Sequence, residues 1–165
     1  MNDLSLDSID FALLDQLQAD ASRSNQALAD IAGISPATCL RRVKRLVESG
    51  LIARQVALLD TDRVASVLGH GISVIVEVSL DRQDTERLDA FEAQAATQAQ
   101  VQQCYRVSPG PDFILIVRCH DMPDYDALAR RLFHADTNVR NVKAFFSVKR
   151  SKFVTALPLP LQTTV

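Results

Sequence analysis

The chain has 165 residues, 47% of them apolar, and a formal net charge of −2. That length holds one ordinary domain or two small ones with a buried core. The near-neutral balance excludes a surface coated with positive charge, so any nucleic-acid contact has to be a local patch.

In chain order, Asp7 to Leu17 reads as a helix. Asp7 is the N-cap, with Asp10 three places on and Leu6 before it. Ile9, Leu13, Leu14 and Leu17 recur at helical spacing. After the polar break "ADASRSN" a short helix is expected from Asn25 to Ala32, with Leu28, Ala29 and Ile31 apolar and Gly33 closing it. Ser35 caps the next helix, Pro36 takes its first position, and Gly50 stops it. Two short helices, a tight glycine turn and a third helix make the helix-turn-helix pattern.

At about 100° per residue, Cys39, Leu40, Val43, Leu46 and Val47 share one arc of the third helix. Thr38, Arg41, Arg42 and Arg45 occupy the opposite arc, with Lys44 at its border. Four of the five residues from Arg41 to Arg45 are basic, and no acid follows until Glu48. These arginines are therefore expected to lack i,i+4 carboxylate partners, while acids gather on the first helix at Asp7, Asp10 and Asp15. A solvated amphipathic helix would show the same wheel. The segregation of charge favours an anionic partner instead. A duplex carries one negative charge per about 1.7 Å of axis, and a helix about 10–12 Å across fits its major groove. Ser35, Thr38, Arg41, Arg42, Lys44 and Arg45 are the candidate DNA-binding residues.

"LIARQVALLD" (Leu51 to Asp60) reads as a strand, a wing or the start of a hinge. The organisation expected is residues 1–60 as the helix-turn-helix domain, 61–69 as a hinge, 70–157 as a second domain and 158–165 as a tail. The second domain repeats strand, acidic turn and helix: "ISVIVEVSLDRQDTERLDAFEAQA", then "FILIVRCHDMPDYDALARRLF". Ile72, Val74, Val76, Val78 and Leu80 alternate onto one face of its first strand. Leu88, Phe91 and Ala95, then Tyr125, Leu128, Leu132 and Phe133, make the apolar stripes of its helices. Strands at Val101 to Val107 and Val142 to Arg150 complete βαββαβ, the ferredoxin-like arrangement. The fold class is α+β: a winged helix-turn-helix domain followed by a ferredoxin-like αβ sandwich.

Such a sheet carries both helices on one side. "FILIV" (Phe113 to Val117) is apolar at every position, and Ile75 and Phe145 fall on the opposite faces of their strands. The free face is expected to pack on a second copy, or else beneath the first domain. A homodimer would suit paired, pseudo-palindromic DNA half-sites.

Other chemistry finds little support. Cys39, Cys104 and Cys119 form no C-x-x-C pair and have no His at zinc-finger spacing, so they read as buried thiols in a reducing compartment. His70, His120 and His134 are scattered through the second domain, and His120-Asp121 lacks a third group. No metal and no cofactor are expected. The N-terminus "MNDLSLDSID" has no signal core, and no run approaches the roughly 20 apolar residues of a membrane helix. A cytoplasmic protein without a membrane partner is expected.

The order "DSIDFALLDQLQADASRSNQALADIAGISPATCLRRVKRLVESGLI" resembles the N-terminal domain of the Lrp/AsnC (feast/famine) transcriptional regulators. "QCYRVSPGPDFILIVRCHDMPDYDALARRLF" is similar to their effector-sensing domain. The resemblance implies dimers and higher assemblies, commonly octamers, control of amino-acid-related metabolism, and a response to amino acids or related small molecules. It implies a ligand between dimers near the loop before the "DF" strand, making Ser108, Gly110, Pro111, Asp112 and Phe113 the effector candidates. Effector binding would then act on DNA by changing assembly. Pro109-Gly110-Pro111 stands where the family often has Gly-Asp-x, which removes an acid and stiffens the loop. Asn138, where a Pro-Gly turn is common, is expected in left-handed geometry. Asp112 has two readings, a cap for the turn or a partner for a ligand ammonium group. Tyr105 and Phe113 are read as core before pocket. Two other functions share the layout: a tetrapyrrole decarboxylase, and a sensor that does not bind DNA. The decarboxylase would need cations at the second domain's pocket, but the cluster lies on the third helix.

Overall fold

The computed structural model describes residues 5–69, 71–134 and 138–160. His70 and residues 161–165 of the expected tail, which entered the expectations above, lie outside the described residues. The chain divides into two compact units. One holds the chain through Leu58 together with the tail from Lys152 on, and the other is Leu59–Ser151.

In the first unit, α1 is Ser8–Ala19, α2 is Asn25–Ala32 and α3 is Pro36–Glu48. Local signals set their ends. Asp7 and Asp10 form a reciprocal capping box: Asp10 N–H donates to Asp7 Oδ1 at 3.0 Å, and Asp7 N–H to Asp10 Oδ2 at 3.2 Å. Ser24 and Ser35 accept from the N–H groups of Ala27 and Thr38, each at 3.2 Å. Gly33, at φ 65°, turns the chain out of α2 and lets Ile34 N–H reach the Ala29 carbonyl at 3.0 Å. Leu13, Leu17, Leu28, Ala29, Cys39 and Leu46 form the core between the helices.

Two expectations for α3 and its sequel are corrected. Leu40 and Val47 were placed on the buried arc with Cys39 and Leu46, yet both are exposed, because α1 and α2 cover a narrower arc of α3 than its apolar residues span. No strand forms between Leu51 and Asp60; a strand needs a partner backbone, and none of the described residues pairs with this stretch. The segment that leads into the tail is held at Leu157. The Gln18 side chain clasps it, its amide donating to the Leu157 carbonyl at 2.9 Å while its carbonyl accepts from Leu157 N–H at 2.9 Å.

The second unit opens with α4, Thr61–Leu68, over the segment read as a hinge. Asp60 caps it by accepting from Asp62 and Arg63 N–H, each at 3.0 Å. Arg118 donates to the Thr61 carbonyl at 3.2 Å and to Ser73 Oγ at 2.6 Å. Strands β1 (Ile72–Leu80), β2 (Val101–Arg106), β3 (Phe113–Cys119) and β4 (Val139–Phe146) form one antiparallel sheet of order β2-β3-β1-β4. With α5 (Thr85–Ala96) and α6 (Met122–Ala129) this is βαββαβ, the α+β layout expected.

Val74, Val76, Val78 and Leu80 of β1 and Phe113, Leu115, Val117 and Cys119 of β3 point to the helices and are buried. Phe91, Ala95, Leu128 and Leu132 close the core from above. Tyr105, expected in the core, is exposed with its hydroxyl donating to Gln103 Oε1 at 2.9 Å.

β4 begins earlier and ends earlier than the expected Val142 to Arg150. Val74 pairs with Phe146 and Ser147 N–H reaches the Ser73 carbonyl at 2.9 Å, so Lys149 and Arg150 lie past the start of β1. Asn138 is not left-handed; among the described residues only glycines have positive φ. Its side chain instead staples the end of β1, accepting from Arg82 N–H at 3.0 Å and donating to the Arg82 carbonyl at 3.1 Å. No helix among the described residues is long and apolar enough to cross a membrane.

Candidate functional site

The N-terminus of α3 is held by Ser35, whose Oγ accepts from Thr38 N–H and donates to Thr38 Oγ1 at 2.9 Å. This fixes Thr38 at the start of the helix, half-buried, with Ser35 exposed beside it. Arg41 and Lys44 follow on the exposed side, one helical turn apart. Lys44 meets only the surface carboxylate of Glu48, at 3.7 Å, a pair worth little in water.

Arg42 and Arg45 differ from the expectation. They do have acidic partners, supplied by α1 rather than by their own helix. Arg42 Nη1 donates to Asp7 Oδ1 at 2.9 Å, Asp7 Oδ2 at 2.8 Å and Asp10 Oδ1 at 2.9 Å. Arg45 Nη2 donates to Asp10 Oδ2 at 2.5 Å. The Arg42 side chain keeps 21% exposure and Arg45 keeps 45%. Thr38, Arg41, Arg42 and Arg45 therefore do not form one uniformly free face: Arg42 is turned inward, and Arg45 is paired on one edge and open on the other.

Asp10 is the buried member, with no accessible surface. A carboxylate in a core is tolerated only when it is paired and hydrogen-bonded, and here all its partners are present. The Asp10 N–H first, and the Arg42 guanidinium behind it, hold the Asp7 carboxyl below its ordinary value. The bonds to Asp10 and then Asp7 raise Arg42 above its ordinary value. The sequence reading named Asp10 as a cap and a helix acid but did not pair it with α3, although the signal was there. It lies three and four residues before Leu13 and Leu14, on the apolar stripe of α1, where an acid has to find a cation.

In the second unit, the loop before β3 carries the other candidates. Ser108, Pro109 and Gly110 are exposed, and Pro111 is half-buried. Asp112 is bound into the sheet through three groups. Its carboxylate accepts from Leu80 N–H at 2.7 Å, its own N–H donates to the Val78 carbonyl at 2.9 Å, and its carbonyl accepts from Val107 N–H at 3.0 Å. That geometry favours the capping reading over a free ligand carboxylate. Phe113 is fully buried, its ring 4.7 Å from that of Phe91. Arg106 stands 6.0 Å from the Phe113 ring and binds Glu92 at 2.7 Å and Asp89 at 2.6 Å. Glu92, and then Asp89, raise it above its ordinary value. Ser108 to Gly110 are the exposed part of the loop, Asp112 is half-buried like Pro111 and tied into the sheet, and Phe113 lies beneath.

The remaining candidates are structural. Asp121 caps α6 by accepting from Asp124 N–H at 2.9 Å while also facing His120 Nδ1 at 3.0 Å. Cys39 and Cys119 are buried, and Cys104 is half-buried on β2.

The face of the sheet away from the helices carries Ile75, flanked by Ile116 on β3 and Phe145 on β4, with Ile114 and Tyr105 paired further along. Ile75, Tyr105 and Phe145 are exposed. These residues make an apolar diagonal across the sheet, beside the Glu77–Lys143 pair at 3.8 Å.

Comparison with known proteins matches both units. Residues 6–53 fit the winged helix-turn-helix DNA-binding family, and residues 73–157 fit the Lrp/AsnC ligand binding domain. The leucine-responsive regulatory protein of Rhizobium meliloti is 33% identical over 90% of this chain and 93% of its own length. An AsnC family transcriptional regulator from Agrobacterium tumefaciens superposes with a TM-score of 0.83 at 31% identity, covering 93% of this chain and 97% of that one. A transcriptional regulator from Neisseria meningitidis, solved as its L-Met complex, gives 0.84 at 27% identity over 94% and 98%.

Proposed function

The chain belongs to the Lrp/AsnC family of DNA-binding transcriptional regulators, proteins that are not enzymes, and on that basis we propose how its residues divide the work. Duplex DNA lies against the outward side of α3. Ser35 and Thr38 approach the backbone at the helix start, and Arg41, Lys44 and the open edge of Arg45 supply the positive charge. The observation that carries this reading is that Arg41 and Lys44 stay exposed on the third helix of a helix-turn-helix while Asp7 and Asp10 are occupied by Arg42 and Arg45. The acids nearest α3 are thereby neutralised, and a local positive patch stands out on a chain whose net charge is slightly negative. A protein at work on DNA acts in the cytoplasm.

The effector is an amino acid or a closely related small molecule, as the L-Met complex of the Neisseria meningitidis regulator supports for this second domain. It meets the Ser108–Pro111 end of the loop, and amino-acid-related metabolism is what the protein controls. The missing acid leaves this loop fewer acceptors for an ammonium and the two prolines leave it fewer N–H donors for a carboxylate, so selectivity leans on the shape of the site.

A second copy covers the apolar strip around Ile75, forming a homodimer. Dimers associate further, to octamers at the limit, with the effector between them. The ligand then acts by its differential affinity for two assemblies, which changes the half-site spacing the recognition helices can span.

Footprinting of the full-length protein on genomic DNA tests the reading. Paired half-sites should be protected, about 10–10.5 base pairs apart or a multiple of that. Uniform, unlocalised protection would overturn sequence-specific reading. Millimolar amino acids should change sedimentation and DNA affinity together; a panel that leaves both unchanged overturns the effector part.

A further inference from the structure

We propose that Asp7, Asp10 and Arg42 form a charge-neutralised clamp that sets the angular position of α3 on α1, making Arg42 a positioning residue and not a DNA contact. The proposal rests on the DNA-reading role of α3 given above and deepens it. One guanidinium nitrogen of Arg42 reaches three carboxylate oxygens on the first turn of α1 and the residue before it. A phosphate would offer one anionic group in exchange for two. Swinging Arg42 outward would also leave the fully buried Asp10 carboxylate on Arg45 alone, an arrangement that burial makes costly.

The rest of the clamp is built to the same end. Asp7 and Asp10 are locked to each other through the capping box, so their oxygens do not move independently of the α1 backbone. Arg45, one turn beyond Arg42, takes the remaining Asp10 oxygen. Two points on α3 are thereby tied to one end of α1, and two ties one turn apart resist rotation of a helix about its axis where a single tie would not. The apolar contacts at Cys39 and Leu46 fix how closely α3 approaches the core. Oil-like contacts are non-directional, whereas charge-assisted guanidinium–carboxylate bonds are directional. Rotation of α3 decides where Thr38, Arg41 and Lys44 point.

A clamp and a phosphate contact predict opposite signs for one substitution. Asp7→Asn removes a negative charge close to the reading helix and keeps a good N-cap. Simple electrostatics makes that variant bind DNA more tightly. The clamp makes it bind its operator more weakly, by about tenfold, the loss expected for a charge-assisted bond.

The experiment uses full-length Asp7→Asn, Asp10→Asn, Arg42→Lys and Arg41→Ala, with binding to a footprinted operator and to a random duplex followed over a salt series, below the onset of melting. Asp7→Asn and Arg42→Lys should both lose specific affinity while random-duplex affinity and the salt slope stay at the parent values, because a lysine keeps the charge but its arm is one atom shorter than the one that carries Nη1 to both carboxylates. Asp10→Asn should lose more; if it fails to fold, Asp7→Asn and Arg42→Lys still decide the matter. Parent-like or tighter operator binding by Asp7→Asn, or full retention by Arg42→Lys, overturns the clamp. Arg41→Ala separates the two readings. If it weakens binding while Asp7→Asn does not, only the clamp falls; if Arg41→Ala binds as the parent does, the reading helix itself is misassigned.

Discussion

Ile75→Asp on the open face of the sheet should convert the protein to monomers. Ile75 keeps 44% of its surface exposed and faces Ile116 on one side and Phe145 on the other. Burying a whole isoleucine contributes up to about 3 kcal/mol, so covering the exposed 44% with a second copy contributes about 1 kcal/mol per protomer. An aspartate there loses that term and adds the penalty of burying a carboxylate, several kcal/mol and here taken as about 3. The sum is about 4 kcal/mol per protomer, and two-fold symmetry doubles it to about 8. At about 1.4 kcal/mol per decade, the dimer dissociation constant should rise by five to six orders of magnitude, roughly from nanomolar to millimolar. Sedimentation velocity at micromolar protein reads this directly. Circular dichroism should show a retained fold, because a polar residue on the solvated face of a strand costs at most about 1 kcal/mol. A folded Ile75→Asp protein that sediments like the parent refutes burial of this face by a second copy. An unfolded one would show that the residue is needed within the protomer.

Other substitutions probe the two units separately. Arg41→Ala should weaken operator binding by about 1–3 kcal/mol if it reads a base, or flatten the salt slope by about one unit if it meets a phosphate; affinity and slope both unchanged would remove Arg41 from the interface. Asp112→Ala leaves the Leu80 N–H without its acceptor, so thermal unfolding should register a loss of about 1–3 kcal/mol. Asp112→Asn, which can still accept, should lose less, and equal losses would argue against the hydrogen bond as the cause. Stability should fall in acid. The Asp7 carboxyl is lowered by the Asp10 N–H and Arg42, and that of Asp124 by the His120 N–H and Gln100. With folded values below the unfolded value near 3.9, their contribution is complete above about pH 5 and disappears as pH falls through the folded values. A melting temperature flat from pH 5 to about pH 2 would contradict this. Burial pushes the Cys119 thiol up to about 11, so at pH about 8 it stays protonated and should react with a thiol reagent only on unfolding; prompt labelling of the native protein at this position would refute its burial.

The helices of the first unit were legible because their signals are local. Asp7, Ser24 and Ser35 cap their own helices, and Gly33 turns the chain within two residues of the last α2 carbonyls. The βαββαβ order was legible for a similar reason: the alternation in Ile72–Leu80 and the stripe of Leu88, Phe91 and Ala95 each report one buried face. The same order carried the family resemblance, which the matches to both units bear out. Errors arose where a residue's state depends on a partner far along the chain. Leu51 to Asp60 has the composition of a strand but no edge to pair with. The expected run to Arg150 ended at Phe146, opposite Val74, and Lys149 and Arg150 lie past the start of β1 at Ile72. Asn138 staples Arg82 instead of turning left-handed.

At the site, local signals were enough to place a basic stripe on α3, its cap at Ser35, and Asp112 at the mouth of β3. Periodicity and capping act within a turn or two of backbone, so one chain segment is enough to reveal them. Which arginines are spoken for depended on packing. Arg42 and Arg45 meet Asp7 and Asp10 across more than thirty residues of chain, and Asp112 meets Leu80 across a gap of similar length. Charge along a helix says how many cations there are; which of them remain available depends on what the packing of α1 against α3 brings within hydrogen-bonding distance.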